Sequence, residues 1–525
     1  MSRRGRPVRR FLRVGLRSLV VALSISITCA AQIGIEISGL PSYGSAGQLT
    51  GRVQGVDFAT HRVAVYIQVE GSGWWTRPSP TQPVVAIRSD GTFAVTIGSG
   101  VLDDRATIFA AALLAPGVSP PIAAGSGRVP SNLVSLAIAF APRYGRTLQF
   151  GGRAWAVKES PVPVGPGGNV FSNDPNDVWV DARGQLHLVL RFRGGRWWGA
   201  ELMSVETFGH GTFWFTTESQ LEDLDPNLTF GAFTWDPYGD DVTIPAAPHR
   251  EIDFEDSRWG QASDTTTSQV VVQPYQVPGN LQRFRLPDLA AAPTITRYFT
   301  WTRDLVEFVA ARGRHSPCSI PSGDVMFRSV FTHAPARGNL VPTAGRTRFH
   351  FNLWINGGGA PRNGQEAEVI VSDFRYAPIP GTFPGGCGVN PTGSLLARAG
   401  STSVGDTLVL AIDNPSNTQA SGSPTALLIA FAPSPWFPCG VLMPGLGMRG
   451  SFGELQVELG AGLVTWSAGT PWNGPGSPAL IPLAIPPLAS IVGRSLFAQG
   501  AILDLAPAAR RAAGLTDAIE LCIRP

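Results

Sequence analysis

Apolar and polar positions alternate along this chain in short runs, not in long helical stripes. Val63–Val69, Thr92–Ile97 and Leu186–Phe192 keep a period near two, Val270–Val272 is a short apolar run, and Gly, Pro and Asp punctuate the intervals, with Asp90-Gly91 as a hairpin turn. No long amphipathic stretch of helical period interrupts them. The pattern predicts an all-β chain of antiparallel sandwiches. At 525 residues it exceeds what one core organises, so several blocks are expected. We divide it into 32–142, a small β-sandwich; 143–380, which holds nine of the 14 tryptophans; and 381–525, a Gly/Pro-rich β block. The run Tyr376-Ala-Pro-Ile-Pro-Gly381 reads as the linker between the last two.

One stretch breaks the sparing use of charge. Residues 249–260, HREIDFEDSRWG, carry Glu251, Asp253, Glu255 and Asp256 in a chain that is only 15% charged. In a strand, Glu251, Asp253 and Glu255 share one face, while Ile252 and Phe254 point to a core. Carboxylates in a row repel one another, so such a face is either a solvated edge or a chemical one.

Charge and cysteine usage narrow the setting. The net charge of +3 rests on arginine, since Lys158 is the only lysine, and seven arginines fall within the first 17 residues. Without them the chain is slightly acidic and no basic stripe is left for nucleic acid. Those arginines precede the apolar run Leu19–Ile27 and then Thr28-Cys29-Ala30-Ala31, the layout of a secretory signal peptide cut after Ala31. The expected product is secreted, extracellular or at the cell surface, with no membrane span after cleavage. Four cysteines would then remain. Cys387 and Cys439 sit in matching Gly/Pro loops and are expected to form a disulfide; Cys318 and Cys522 are expected to be buried free thiols.

Two carboxylates on one face suit glycoside hydrolysis with retention, in which one attacks the anomeric carbon and the other protonates the leaving oxygen. Retention needs them about 5–5.5 Å apart. A flat strand would hold the Cα atoms of Glu251 and Glu255 about 13 Å apart, so the strand must curve and the side chains must lean together. Asp253, between them, would raise the pKa of one neighbour.

Glu251-Ile-Asp253-Phe-Glu255 resembles the E-x-D-x-E signature of glycoside hydrolase family 16, in the unbulged form similar to bacterial lichenases. The flanks extend the likeness. Glu201-Leu-Met-Ser204 through Phe208-Gly209, Gly211 and Phe213 resembles an upstream motif of that family, and Gly231-Ala-Phe233-Thr-Trp235 its strand before the catalytic one. Phe299-Thr-Trp301, Phe351-Asn352-Leu353-Trp354 and Val371-Ser-Asp373-Phe-Arg-Tyr376 are similar to later strands. The resemblance implies a concanavalin-like jelly roll over 143–380 and an endo-acting enzyme that cleaves β-linked glucan or galactan. Glu251 would be nucleophile, Asp253 the assisting acid and Glu255 the general acid/base. The chain departs from the family pattern at His249-Arg250, where Trp is usual, and at Asp256, where an apolar or aromatic residue is common.

Sugar faces need aromatic platforms and a few polar partners. Trp198, Trp235, Trp259, Tyr275, Gln273 and Glu201 are the candidates, while Trp179, Trp301 and Trp354 are expected in the core. Gly73-Trp74-Trp75-Thr76 makes glycan binding an expectation for the first block. No metal or cofactor is expected beyond a structural calcium ion that Asn173–Asp177 could hold. A monomer acting on polysaccharide is the leading expectation. The alternative is a non-catalytic glycan-binding or structural cell-surface protein.

Overall fold

The computed structural model describes residues 32–524 except 239–247, 316, 317, 319, 387, 438, 450, 451, 461, 462 and 505–512. The expected signal peptide, 1–31, lies outside the described residues. Among the described residues the chain is all-β, with short 3-10 turns and no α-helix. No helix there is long and apolar enough to cross a membrane.

The central part is a jelly-roll sandwich of two eight-stranded antiparallel sheets. The inner sheet contains β1 (Thr147–Phe150), β2 (Arg153–Val157), β3 (Ala200–Ser204), β4 (Leu228–Trp235), β5 (Ile252–Ser257), β6 (Ser268–Val272), β7 (Leu281–Phe284) and β8 (Arg348–Ile355), in the spatial order β1-β2-β3-β8-β4-β5-β6-β7. The outer sheet includes Gly211–Glu218, Thr294–Trp301 and Ala367–Ala377. Aromatic side chains fill the space between the sheets. Phe213 stacks on Phe299 and Phe349 at 4.8 and 5.4 Å, and Trp301 is fully buried.

Alternation along β5 decides what each residue does. Ile252 and Phe254 are buried in this core, as the pattern requires. Asp256 shares their face. It therefore leaves the acid row and enters the sandwich, where it accepts two hydrogen bonds from Arg297 of the outer sheet, at 2.7 and 2.8 Å, and one from Ser268. Both partners of this ion pair are 1% exposed, so Asp256 joins the two sheets and acts on the row only through its charge, which helps to raise Glu255.

On either side lie smaller two-sheet sandwiches. The first has three- and six-stranded sheets, with Arg62–Val69 and Ile108–Leu114 central to the larger; the last has five- and three-stranded sheets built on Ser495–Leu503 and Thr407–Ile412. The first sandwich is docked tightly on the central one. Its apolar cluster runs on into Phe171 and Trp354, Trp74 Nε1 donates to the Pro237 carbonyl at 2.6 Å, and Phe140 meets Tyr238 edge to face at 5.4 Å. Trp74 is thus wholly buried at this junction and offers no platform to an external glycan.

Several sequence expectations are corrected here. Cys318 and Cys522 are not free thiols: they form a disulfide with Cα atoms 5.1 Å apart, across 204 residues of sequence. Cys439 is disulfide-bonded, while Cys387, its expected partner, lies outside the described residues. Trp179 is not a core residue. It lies half-buried, stacked on His187 at 4.5 Å, because its neighbour Val178 takes the inward position. Apart from these corrections, in the Asn173–Asp177 turn Asp177 accepts from Arg191 at 2.7 Å and Asp174 pairs with Arg193.

Replacing Arg297 by Leu leaves Asp256 buried without its counter-charge and is expected to cost about 3–5 kcal/mol. The Asp256→Leu/Arg297→Leu double variant should recover most of that loss, measured as the urea midpoint of each protein.

Candidate active site

Register places a polar band across the inner sheet. Glu201 on β3 lies opposite Asn352 on β8, Asn352 opposite Gly231 on β4, Gly231 opposite Glu255 on β5, and Glu255 opposite Gln269 on β6. A parallel band runs through His350, Phe233, Asp253 and Val271. The sheet folds these bands into the floor of a pocket of 340 Å³, into which Glu251, Asp253 and Glu255 all face. Gly231 matters there because a Cβ would lie 2.5 Å from Asn352 Oδ1, so a side chain would close the floor beside Glu255.

The acids sit in a protected environment. Burial first, and then the charge of Glu255, lift Glu251 to about 8. Burial and both neighbouring glutamates hold Asp253 well above the usual carboxylate range, although Gln273 donates to it at 3.1 Å. Glu255 is raised to about 7. Burial lifts it, with a smaller push from the charge of Asp256; Gln269, donating to it at 2.6 Å, and Arg283 oppose that rise. Gln269 is in turn fixed by Trp259 Nε1 and Arg283, both at 3.0 Å.

Glu201 is also buried and lines the pocket, but it is paired. Lys158 Nζ lies 2.8 Å from one oxygen and His350 Nδ1 3.1 Å from the other. Burial pushes its carboxyl up, and these two partners outweigh that and hold it below its ordinary value. The chain's single lysine is spent on this carboxylate.

The expected aromatic platforms divide. Trp235 lines the pocket, and His249 lies flat against it with ring centroids 3.8 Å apart. His249 and Arg250 both adopt left-handed backbone (φ 59° and 51°), a strained turn that Arg250 anchors through Asp236 and the Thr343 carbonyl. An imidazole stacked on Trp235 thus stands two residues before the first acid of the row. Trp354 is buried, but on the pocket face and not between the sheets. Trp259 packs edge-on against it at 6.0 Å, outside the pocket. Trp198 is elsewhere, on the hairpin strand Arg196–Trp198, covered by Arg193 and Arg196. Gln273 holds Asp253 as described, and Tyr275, 57% exposed, stands beyond it.

Sequence reasoning left out His350, Asn352, Lys158 and Gln269, whose importance comes from cross-strand register. It also left out Gln68 and Glu70, which reach the pocket from the first sandwich. Among the described residues no group of three His, Cys, Asp or Glu is arranged to hold a metal ion.

A curved antiparallel sandwich with a carboxylate row facing a pocket defines the class of site. No family model matches the chain, and no curated protein matches it. Solved structures do resemble it. An immunostimulatory antigen and pseudo β-1,3-glucanase of Mycobacterium tuberculosis is 19% identical, with a TM-score of 0.31, over 42% of this chain and 88% of that one. A β-1,3-glucanase from Mycobacterium marinum gives 20% identity and a TM-score of 0.29 over 42% and 88%. A glycoside hydrolase family 16 endo-glucanase from Bacteroides ovatus, in complex with G4G3G-2F-DNP, gives 12% and 0.30 over 42% and 94%. At these values the likenesses carry no argument about residue roles, which rest on the geometry above.

The raised carboxyl of Glu251 has a consequence for stability. The unfolded chain loses this proton near the ordinary glutamate range of about 4.3, whereas the folded one keeps it to about 8. Stability contributed by this group is therefore full below about pH 4.3 and is lost as pH rises towards 8. Glu251→Gln is expected to match the parent at pH 4 and to melt higher than it at pH 8, by calorimetry.

Proposed function

We propose that this protein is a secreted glycoside hydrolase that cleaves β-linked polysaccharide, glucan or galactan, by retaining double displacement, with residues 143–380 as its catalytic domain. One observation carries the reading: Glu251, Asp253 and Glu255 face a single pocket together, beside the Trp235 platform, where burial lifts all three and the charge of Glu255 adds to the rise of Glu251 and Asp253. In the proposed roles Glu251 attacks the anomeric carbon, while Glu255 protonates the departing oxygen and later takes a proton from the attacking water. Asp253 lies between them and sets how one proton is shared. Gln269 orients the Glu255 carboxyl, and Trp235 offers a face to the sugar ring.

The chemistry requires one ionised and one protonated carboxyl. With Glu255 near 7 and Glu251 near 8, Glu255 is the first of the two to ionise, so the reactive form is the minor tautomer of the coupled row, in which the remaining proton sits on Glu255 and Glu251 is the carboxylate. A second reading, a glycan-binding protein without turnover, is favoured by a specific observation: all three acids of the row are raised, and none is held low as a ready nucleophile.

Reducing-end release from β-glucans, agar and carrageenans separates the two readings. The hydrolase is expected to give a bell-shaped kcat/KM profile with limbs near pH 7 and 8, no measurable release by Glu251→Gln, and a loss of about 10²–10⁴-fold in Glu255→Gln. Proton NMR of the first product should show the anomeric configuration retained. Binding of one polysaccharide without release from any would establish the second reading.

A further inference from the structure

A groove that takes the middle of a chain must be open at both ends. Here the first sandwich closes one of them. The turn after strand Arg62–Val69 lies over the Glu201 end of the polar band: Gly165 N donates to the Gly71 carbonyl at 2.9 Å, and a Cβ on Gly71 would stand 2.4 Å from Gly165 O and 3.1 Å from Lys158 Nζ. Only a residue free to adopt φ +73° without a side chain allows this approach. A second contact closes the side above Trp235, where a Cβ on Gly127 would meet His249 Nε2 at 2.5 Å. Along the third side stand Pro166 and Trp354. On the side away from Glu201, Gln269 stands beside Glu255 and Gln273 beside Glu251, with Tyr275 exposed past them, and among the described residues none of β6 walls the pocket.

The enclosed end is polar and its hydrogen bonding is incomplete. His350 and Asn352 are 2% and 3% exposed, yet His350 Nε2 and Asn352 Oδ1 find no hydrogen-bond partner among the described residues. Buried polar atoms are rarely left so, and these two lie in the pocket. Opposite them Glu70 is fixed by Gln68, which donates to it at 2.8 Å and itself accepts from Thr107 at 2.5 Å. A volume of 340 Å³ is at the small end of the range of about 300–1,000 Å³ for sites that engulf a short ligand.

We infer that the pocket is blind at its Glu201 end and receives the terminus of a β-linked glycan chain, whose last hydroxyls are bound by His350, Asn352 and, from the first sandwich, Glu70. The inference deepens the hydrolase reading and rests on it for the cleavage step only. It replaces the endo-acting expectation with attack at a chain end, and it makes the first sandwich part of the site.

The test compares linear β-glucan with cyclic β-glucan of the same linkages, which has no end to insert, using the full chain. The expected result is release of one short product from linear glucan from the earliest times, cyclic glucan being cleaved at least tenfold more slowly. Glu70→Ala should raise KM about tenfold with little change in kcat and with its melting curve retained. Cleavage of cyclic and linear glucan at rates within twofold overturns the blind pocket and leaves the hydrolase standing. If nothing is cleaved but linear glucan binds, cyclic glucan does not, and Glu70→Ala weakens that binding tenfold, the pocket stands and the hydrolase reading falls. Equal binding of both glucans, or binding of neither, overturns the pocket.

Discussion

The alternation of β5, pinned by the Asp256–Arg297 ion pair, is the constraint on which the site depends. A strand offers its side chains to two faces in turn, and a slip of one residue would send Glu251, Asp253 and Glu255 into an aromatic core while exposing Ile252 and Phe254. Such a slip is resisted from both sides. Ile252 and Phe254 prefer the core, and Asp256 can meet Arg297 only in the observed register. A charged pair between two sheets is an expensive way to hold a sandwich together. Its return is specificity, because one register satisfies both charges and every other strands them.

The chemistry of the pocket follows from cover as much as from sequence. Three acids on an open sheet would be solvated and would ionise near their ordinary values. Beneath the first sandwich they lose water across a small volume, and their protons are held above the usual carboxylate range. The adjacent Glu201, buried more deeply than either glutamate of the row, shows the opposite outcome, since Lys158 and His350 supply the missing counter-charge. Two kinds of carboxylate therefore stand on one sheet: Glu201, held low by a lysine and a histidine, and the row of three, which meets only neutral amide donors and is held high.

What could be read from the sequence was what period two encodes. The all-β architecture, the inward Ile252 and Phe254 and the common face of the three acids all follow from local alternation. Asp256 obeys the same rule, and its role as an inter-sheet partner was hidden only because Arg297 is 41 residues away. His350, Asn352 and Gln269 come to the acids through cross-strand register, which a linear pattern does not contain. Trp198 and Trp179 were misplaced because aromatic residue type says nothing of which side of a sheet, or which hairpin, will carry it. Glu70 and Gln68 were beyond reach for a further reason: they belong to another sandwich, and only docking brings them to the pocket.

The disulfide between Cys318 and Cys522 ties the central sandwich to the final strand of the last one, Ala513–Cys522. Synthesis runs from the N-terminus, and domains tend to fold as they emerge. Cys318 must then stay reduced while the next 204 residues are made. The bond can close only on a chain whose last sandwich has been synthesised and has reached the central one. It therefore acts as a covalent record that the 381–525 sandwich has been made and has docked on the central one.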